Sequence, residues 1–261
     1  MLFIDNQNKH DPAVNLALEE YALRQSQSDE DLLLFYINEP SIIIGRHQNT
    51  LEEINQDFVE QHGIHIVRRL SGGGAVYHDL GNLNFSFITN YQQENFQNFR
   101  KFTTPIVRSL AKMGVSAELS GRNDILINGR KVSGNAQYTS KGRMVSHGTL
   151  LFNTDLSQVS EALHVQASKI ALKGIKSVRS RVTNICEFLS QPMDIEKFQD
   201  HLMGTCFEGV SEIPIYPLSV QDWAAVHQLA DERYRSWKWN YGNSPDFNIE
   251  KTDMFQMANK I

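Results

Sequence analysis

Apolar residues recur along the chain with spacings typical of helices in some segments and of strands in others. Asp11 followed by Pro12 is a strong helix start, since aspartate caps the first turn and proline fits within it. Residues 99–113 also show helical spacing, and Pro105 is predicted to start or kink that helix. Further helices are predicted over residues 155–163, 194–207 and 219–233. The first helix is predicted to present one apolar face formed by Val14, Ala17, Leu18, Tyr21 and Ala22.

Short apolar or alternating runs between these helices predict β-strands. Asn128-Gly129 separates the runs 124–127 and 130–133, and both positions of a two-residue hairpin turn need positive φ, which this pair adopts readily. Strands joined by hairpins, with helices between them, predict a mixed α/β (α+β) fold in which helices cover a mixed or antiparallel sheet. The other predicted strands are residues 32–37, 41–44, 64–67, 83–89 and 144–152.

The composition is that of an ordinary globular protein, with 41% hydrophobic and 21% charged residues among 261. Such a length suits one α/β domain. No apolar run approaches the roughly 20 residues that cross a bilayer, and the N-terminus lacks the pattern of a secretory signal. We therefore expect a cytoplasmic protein without a membrane partner. Cys186 and Cys206 are too few for a disulfide framework or a cysteine metal site.

The net charge of −5 argues against a general nucleic-acid binder. Positive charge nevertheless gathers beside glycine or serine, a combination that suits a small anionic ligand. A solvated surface is the alternative interpretation for any one cluster. The clusters are Arg68-Arg69, Arg130-Lys131, and Lys173, Lys176, Arg179 and Arg181.

The most distinctive segment is Arg68-Arg69-Leu70-Ser71-Gly72-Gly73-Gly74-Ala75-Val76-Tyr77-His78-Asp79. Three consecutive glycines allow positive φ and close approach of the backbone to a ligand, and their N–H groups can point at one anion. The arginines can add bidentate contacts to phosphate or carboxylate. A glycine-rich hairpin loop is the structural alternative. The segment lacks the Lys-Ser/Thr pair of a Walker A loop and is not a dinucleotide fingerprint.

This segment, together with the following Leu80-Gly81-Asn82-Leu83-Asn84-Phe85-Ser86-Phe87, resembles the lipoate-binding loop and next strand of lipoate–protein ligases. Four further blocks resemble the same family in the same order, and the last of them is similar to its adenylate-binding loop. They are Gly121-Arg122-Asn123-Asp124, Gly129-Arg130-Lys131-Val132-Ser133-Gly134-Asn135-Ala136, His147-Gly148-Thr149-Leu150-Leu151, and Lys173-Gly174-Ile175-Lys176-Ser177-Val178-Arg179-Ser180-Arg181-Val182.

The resemblance implies a sheet with flanking helices, like that of class II aminoacyl-tRNA synthetases and biotin–lipoate ligases. It also implies two reactions. Lipoate and ATP, with magnesium, form lipoyl-AMP, and a lysine of an acceptor lipoyl domain then attacks the mixed anhydride to form an amide. The implied acceptors are the lipoyl domains of 2-oxoacid dehydrogenase complexes and the glycine cleavage H protein. Fixed positive charge and preorganised donors suit this chemistry, because anions meet and an oxyanion develops.

Residue by residue, the resemblance implies that Lys131 is the catalytic residue, in contact with both the lipoyl carbonyl and the phosphate. Asp124 would hold magnesium through oxygen. From the residues alone, Lys131 reads as an exposed hairpin lysine and Asn123 as a turn residue. The implied ATP and adenylate contacts are Arg69, Gly74, Ala75, Val76, Tyr77, Asn123, Asp124, Lys131, Ser180 and Arg181. The implied lipoate contacts, in an apolar tunnel under the glycine loop, are Ser71, Gly72, Gly73, His78, Lys131, His147 and Gly148.

The two histidines of this set, His78 and His147, have no carboxylate at a fixed sequence spacing that would mark a proton relay. We therefore expect them to have structural or ligand-orienting roles, since a lone histidine more often forms a structural hydrogen bond.

Two other functions remain open at this point. An octanoyl- or lipoyltransferase would pass the acyl group through a cysteine thioester and needs an activated cysteine; neither Cys186 nor Cys206 lies in that family's nucleophile context. The second alternative is a domain that binds lipoyl-AMP and performs only the transfer step.

Related ligases carry a C-terminal accessory domain, so we expect residues 1–246 to be the catalytic domain and 247–261 a remnant or start of the accessory domain. A separate accessory domain or chain would then complete activation.

Overall fold

The computed structural model describes residues 1–25, 28–163 and 182–245, and this part of the chain forms two β-sheets covered by helices. The large sheet has seven strands in the order β1-β2-β6-β10-β9-β8-β7, and the small sheet has three in the order β4-β3-β5. The strands are β1 (Leu2–Ile4), β2 (Leu32–Ile37), β3 (Ser41–Ile44), β4 (His65–Arg68), β5 (Val76–His78), β6 (Asn82–Asn90), β7 (Glu118–Ser120), β8 (Asp124–Ile127), β9 (Arg130–Ser140) and β10 (Arg143–Leu151).

Seven α-helices lie in the described part of the chain, and none of them has the length and apolar composition needed to cross a membrane. A 3₁₀ turn covers Ile185–Phe188, and single π-helical turns cover Ala230–Tyr234 and Lys238–Gly242. The α-helices are α1 (Pro12–Arg24), α2 (Thr50–Glu53), α3 (Gln56–His62), α4 (Phe99–Lys112), α5 (Leu156–Ala162), α6 (Ile195–Cys206) and α7 (Val220–Leu229).

The centre of the large sheet is β6, which pairs antiparallel with β2 on one side and β10 on the other. All its residues except Asn90 are buried, although its alternating sequence is typical of a strand with one exposed face. Helices on both sides explain this. Phe85 and Phe87 pack in a core with α4 and α6, whereas Ile88 packs in a second core with α1. The predicted mixed sheet with flanking helices is confirmed, since β1 pairs parallel with β2.

Helix α1 begins as predicted, because the Asp11 carboxylate accepts hydrogen bonds from the N–H groups of Ala13 and Val14. The prediction that this helix buries a single apolar face is wrong, however, because every residue from Pro12 to Leu23 is buried. The helix lies between the large sheet and α7, so its polar residues are also removed from water. Those residues require internal partners.

The hairpin at Asn128-Gly129 is confirmed, with φ of 49° and 74° at the two turn residues. Helix α4 begins at Phe99 with Asn98 as its cap, and Pro105 lies inside it. Pro105 therefore does not start the helix. The predicted strands over 32–37 and 41–44 are also confirmed, but they belong to different sheets.

Candidate functional site

A cleft of about 560 Å³, including the space open to solvent at its mouth, lies between the glycine-rich loop and the large sheet. Its position follows from the two sheets, because the loop leaves β4 of the small sheet and returns through β5. From the loop and β5, the lining residues are Arg69, Gly72, Gly73, Gly74, Val76 and His78. From the opposite wall, the lining residues that the sequence had singled out are Asn123, Lys131, His147 and Gly148.

The cleft runs across the strands of the large sheet. Tyr36 on β2 lies opposite Asn84 on β6, and Asn84 lies opposite Thr149 on β10. Lys131 lies on β9, three strand positions from β2. Strands in a sheet are about 4.8 Å apart, so the two ends of the cleft are separated by at least roughly 14 Å. The cleft therefore has an inner end at β2 and a lysine end at β9.

Arg69 holds the glycine loop in place from beneath. Its guanidinium donates to the carbonyl oxygens of Gly72 at 2.7 Å, Gly74 at 2.9 Å and Ile43 at 3.0 Å, and to Ser71 Oγ at 3.1 Å. Burial lowers the pKa of Arg69 to about 10, which leaves it cationic at neutral pH. Arg69 thus fixes the loop while its charge remains beside the cleft.

Because the carbonyl groups of Gly72 and Gly74 point toward Arg69, the N–H groups of the glycine loop are available to a ligand. Among the described residues, no hydrogen-bond acceptor is found for the N–H groups of Gly72, Gly73 or Gly74. Gly73 has φ of +100°, and it is the one glycine of the three with positive φ. Unpaired amides that line a cleft beside a cation can bind an anion.

The end of β3 approaches this loop closely at Gly45. A Cβ on Gly45 would lie 2.0 Å from the carbonyl oxygen of Gly73, so only glycine fits there. The next residue, Arg46, donates its N–H to the carbonyl oxygen of Ser71 at 2.9 Å. No pattern in the sequence indicates this role for Gly45.

Arg68 does not face the cleft, contrary to the expectation that both arginines could contact an anion. Its side chain is fully buried and donates to backbone oxygens of Gly45, Gln48, Trp239 and Asn240. It also donates to the hydroxyls of Thr50 and Ser244. Arg68 therefore ties the small sheet to the last described turn of the chain and has a structural role.

Lys131 is the second residue of strand β9, and it lines the cleft. Its Nζ lies 2.8 Å from Asp124 Oδ1, and both side chains are between one third and two fifths exposed. A Cβ on Gly134 would lie 2.9 Å from this Nζ, so the missing side chain of Gly134 provides the space for the ammonium. The backbone of Lys131 also pairs with Val182. Lys131 is thus a partly exposed lysine of the hairpin, as the residues alone suggested, and it also lines the cleft.

Asn123 lines the cleft but also has the structural role that the residues alone suggested. Its amide donates to the Asn135 carbonyl, and the Asn135 side chain donates back to the Asn123 carbonyl at 2.9 Å. Gly148 lies against the same Asn135, since a Cβ there would fall 2.2 Å from Asn135 Oδ1. These contacts shape the wall near Lys131.

Ser71, His147 and Glu19 form a buried hydrogen-bonded chain behind the loop. Ser71 Oγ lies 2.6 Å from His147 Nε2, and His147 Nδ1 lies 2.9 Å from Glu19 Oε2. Burial alone would raise the pKa of Glu19, but the His147 side chain and the hydroxyl of Ser86 hold that pKa below its ordinary value. His147 therefore has the carboxylate partner that sequence spacing did not reveal, because Glu19 is 128 residues away.

Strand β5 alternates its side chains between the cleft and the core of the small sheet. Val76 and His78 line the cleft, while Tyr77 packs in a core with Ile42 and Ile44 of β3 and Val59 of α3. Burial raises the pKa of Tyr77 to about 12. Ala75 packs against the same core. Any ligand contact of Tyr77 would therefore come from its backbone. Two further residues predicted to contact the adenylate, Ser180 and Arg181, lie outside the described residues.

Several residues that line the cleft are not among the site residues predicted from the sequence. Tyr36 belongs to an apolar run and Asn84 to an alternating strand, so neither carried a signal of its own. The others lie inside blocks already quoted for the resemblance. The expected apolar tunnel consequently carries hydrogen-bonding side chains at its inner end. The additional lining residues are Tyr36, Asn84, Gly134, Asn135, Ala136 and Thr149.

Neither cysteine is placed for thioester chemistry. Cys186 and Cys206 do not line the cleft. Burial, with the Glu187 carboxylate nearby, raises the pKa of Cys186, and burial raises the pKa of Cys206 to about 12. A nucleophilic cysteine needs a lowered pKa, so the transferase alternative lacks its central residue among those described.

Asp124 is suited to the magnesium that ATP chemistry implies. Mg²⁺ usually binds through one or two carboxylates together with phosphate oxygens and water. Asp124 offers one partly exposed carboxylate beside Lys131. In residues 1–25, 28–163 and 182–245 no group of three histidine, cysteine or acidic side chains could by itself hold a metal. Asp124 with substrate phosphates would therefore form the site.

Solved structures of known proteins share this fold. A bipartite lipoate protein ligase from Thermoplasma acidophilum, solved in a study that also includes its E2 lipoyl domain, superposes with a TM-score of 0.81 at 30% identity, covering 95% of this chain and 98% of that one. A lipoate-protein ligase A bound with ATP gives a TM-score of 0.76 at 30% identity, covering 89% and 95%.

Sequence comparison gives the same family. Lipoate-protein ligase LplJ of Bacillus subtilis is 55% identical over 260 residues, which is 99% of this chain and 78% of the relative. The family described as the lipoyl protein ligase A/B catalytic domain matches residues 11–207. With this identity over nearly its whole length, the chain belongs to the lipoate–protein ligase family.

Proposed function

We propose that this chain activates lipoate with ATP to form lipoyl-AMP and then transfers the lipoyl group to a lysine of an acceptor protein. The observation that carries the proposal is the placement of Lys131. Its ammonium stands in the cleft beside Asp124 and shares that cleft with the amides of the glycine loop, for which the described residues provide no acceptor. This arrangement provides a cation and anion-binding donors around one position, as the joining of two anions requires.

In this proposal Lys131 contacts both the acyl carbonyl oxygen and the phosphate. Positive charge there would draw electron density from the carbonyl as an oxyanion forms. The N–H groups of Gly72, Gly73 and Gly74 would bind phosphate oxygens, while Asn123 would contact the adenylate. Magnesium, held by Asp124, would neutralise phosphate charge. Arg69 would keep the loop in shape rather than bind ATP directly, because most of its donors are already paired.

The substrates follow from the relatives. The Bacillus subtilis relative is a lipoate-protein ligase by name, and one of the solved relatives has ATP bound. A further solved relative comes from a lipoylation system with an E2 lipoyl domain. We propose lipoyl domains of 2-oxoacid dehydrogenase complexes and the glycine cleavage H protein as acceptors, and the cytoplasm as the location. We also retain residues 1–246 as the catalytic domain.

Two assays on the purified chain test this function. The first supplies ATP, magnesium and lipoate and measures lipoyl-AMP and pyrophosphate. The second supplies preformed lipoyl-AMP with a lipoyl domain and measures the lipoylated product by mass. Product in both supports the proposal, and product in neither refutes it. Product in the second assay alone would identify a transfer-only domain that needs a separate accessory domain or chain for activation.

A further inference from the structure

His78 lines the inner end of the cleft and carries a polar atom that has no partner among the described residues. The residue is 3% exposed and lines the cleft. Its Nδ1 lies 3.0 Å from Asn38 Nδ2, while its Nε2 is buried and has no hydrogen-bond partner among the described residues. A buried polar atom without a partner is unfavourable, so a binding partner in the cleft is expected.

The hydrogen-bond network decides whether this atom is a donor. Asn15 Nδ2 donates to the carbonyl oxygen of Lys9 at 2.8 Å, and a carbonyl can only accept. The same Nδ2 donates to Asn38 Oδ1 at 2.9 Å, so the other end of the Asn38 amide, Nδ2, faces His78. His78 Nδ1 must therefore accept, and in the neutral ring the proton is on Nε2. His78, which lines the cleft, therefore carries a buried N–H without a partner among the described residues.

The imidazole stays neutral because of its surroundings. Burial, followed by electrostatic interactions with Arg69 and His147, lowers the pKa of His78 to about 3. The Glu19 carboxylate of this network is bonded to His147 and Ser86 rather than to His78. The ring is thus a fixed neutral donor at any physiological pH.

His78 and Lys131 stand at opposite ends of the cleft. Asn38, the partner of His78, directly follows β2, whereas Lys131 lies on β9. An acyl chain with its carbonyl at Lys131 would cross β10 and β6 and bring its far end to His78. The far end of lipoate carries a dithiolane ring, whose sulfur atoms are weak acceptors. A straight alkyl end carries no acceptor.

We propose that His78 donates a hydrogen bond from Nε2 to a dithiolane sulfur and thereby selects lipoate over acyl chains whose far end lacks an acceptor. This inference rests on the proposed function, which places the reacting carbonyl at Lys131. An acyl end without an acceptor leaves the buried N–H unpaired, and a site built to hydrogen-bond its substrate discriminates against such an analogue. Asn38 and Asn15 are positioning residues that fix the tautomer.

Substrate discrimination tests the proposal. Lipoate is compared with cyclopentylvalerate, its carbocyclic analogue, which has a similar ring but no sulfur, and acyl-AMP formation gives kcat/KM for each. We expect the protein to prefer lipoate. In His78→Phe this preference should fall about fivefold or more, through a higher KM for lipoate. The matched control is His65→Phe at an exposed histidine of β4, which should keep the full preference.

Equal kcat/KM for the two acids in the unchanged protein, or an undiminished preference in His78→Phe, would overturn the proposal. If neither acid is activated, the proposed activation step fails instead, and binding alone tests His78. For that purpose the ¹⁵N signals of the histidine rings are recorded with each acid. The proposal expects a protonated Nε2 that shifts with lipoate and shifts much less with cyclopentylvalerate. A proton on Nδ1, or equal shifts, refutes it.

Discussion

His147 Nδ1 lies 2.9 Å from Glu19 Oε2, in a buried pair that joins α1 to β10 behind the glycine loop. The same Glu19 accepts from Ser86, and His147 reaches Ser71 through its other nitrogen. The pair therefore connects the main sheet, its covering helix and the loop. Loss of either partner should therefore lower the free energy of unfolding and displace the glycine loop.

Replacement of Glu19 by glutamine should lower the free energy of unfolding by about 1–3 kcal/mol, because one buried partner loses its charge-assisted bond. Urea unfolding measures this. Since the pKa of Glu19 is held below its ordinary value of 4.5, its contribution is present above that pH and is lost as the pH falls further. The control Glu30→Gln removes an exposed ion pair with the N-terminus and should have almost no effect. An equal loss in both variants would contradict the role of Glu19.

The sequence predicted the local elements well but not the long-range partners. The Asn128-Gly129 hairpin, the Asp11 cap and the strands were readable because each depends on neighbouring residues. The burial of α1 from Pro12 to Leu23 could not be predicted in this way, since it depends on α7 covering the helix. Lys131 was found through resemblance, whereas spacing alone favoured an exposed lysine.

Other parts of the site depend on contacts that no local pattern encodes. Glu19 looks like a surface residue of a helix until the sheet and loop enclose it. Arg68 and Arg69 are adjacent in sequence, yet one is fully paired inside the protein and the other supports the loop. Gly45 is required only because Gly73 returns against it. Tertiary contact decides each case.

Lys131→Met should reduce lipoyl-AMP formation by at least about a hundredfold, because it removes the cation from the position where charge develops. Methionine retains much of the side-chain volume, so the fold should persist. Single-turnover formation of lipoyl-AMP gives the rate. Lys197→Met, at a largely exposed lysine of α6, is the control and should leave the rate unchanged. A normal rate in Lys131→Met would show that the cation acts elsewhere.

Asp124→Asn should raise the magnesium concentration needed for half-maximal adenylation by about tenfold, since the site loses its anionic oxygen ligand. A titration of the activation rate with magnesium measures this. Lys131 also loses its partner at 2.8 Å, so the KM for ATP should change in parallel. Asp57→Asn, at an exposed position in α3, provides the comparison. The metal role would be excluded by an unchanged magnesium dependence.

Gly45→Ala should destabilise the protein by about 1–3 kcal/mol, because the new Cβ would lie 2.0 Å from a backbone oxygen that cannot easily move. Gly204→Ala is a matched control, since a Cβ there would meet none of the described residues within 4 Å and Gly204 lies within α6. Alanine is favoured over glycine in a helix, so Gly204→Ala should stabilise by up to about 1 kcal/mol. Thermal unfolding of the two variants should shift in opposite directions, and a shift of the same sign would contradict the close approach.

His78 should make the protein less stable in mild acid. Its pKa is about 3 in the folded chain, against an ordinary value of 6.5, so between these values the unfolded chain binds a proton that the folded chain does not. Stability therefore falls as the pH drops below 6.5. From pH 7 to pH 5 this one residue should remove roughly 2 kcal/mol.

Urea unfolding at the two pH values measures the effect, with His78→Gln as the variant, because glutamine does not titrate. The variant should be less stable at pH 7 but should lose roughly 2 kcal/mol less than the unchanged protein on going to pH 5. His65→Gln, at an exposed histidine, should retain the original pH dependence. If the unchanged protein and His78→Gln lose the same free energy between the two pH values, then His78 is already protonated or solvated in the folded chain, and it cannot act as a buried neutral donor.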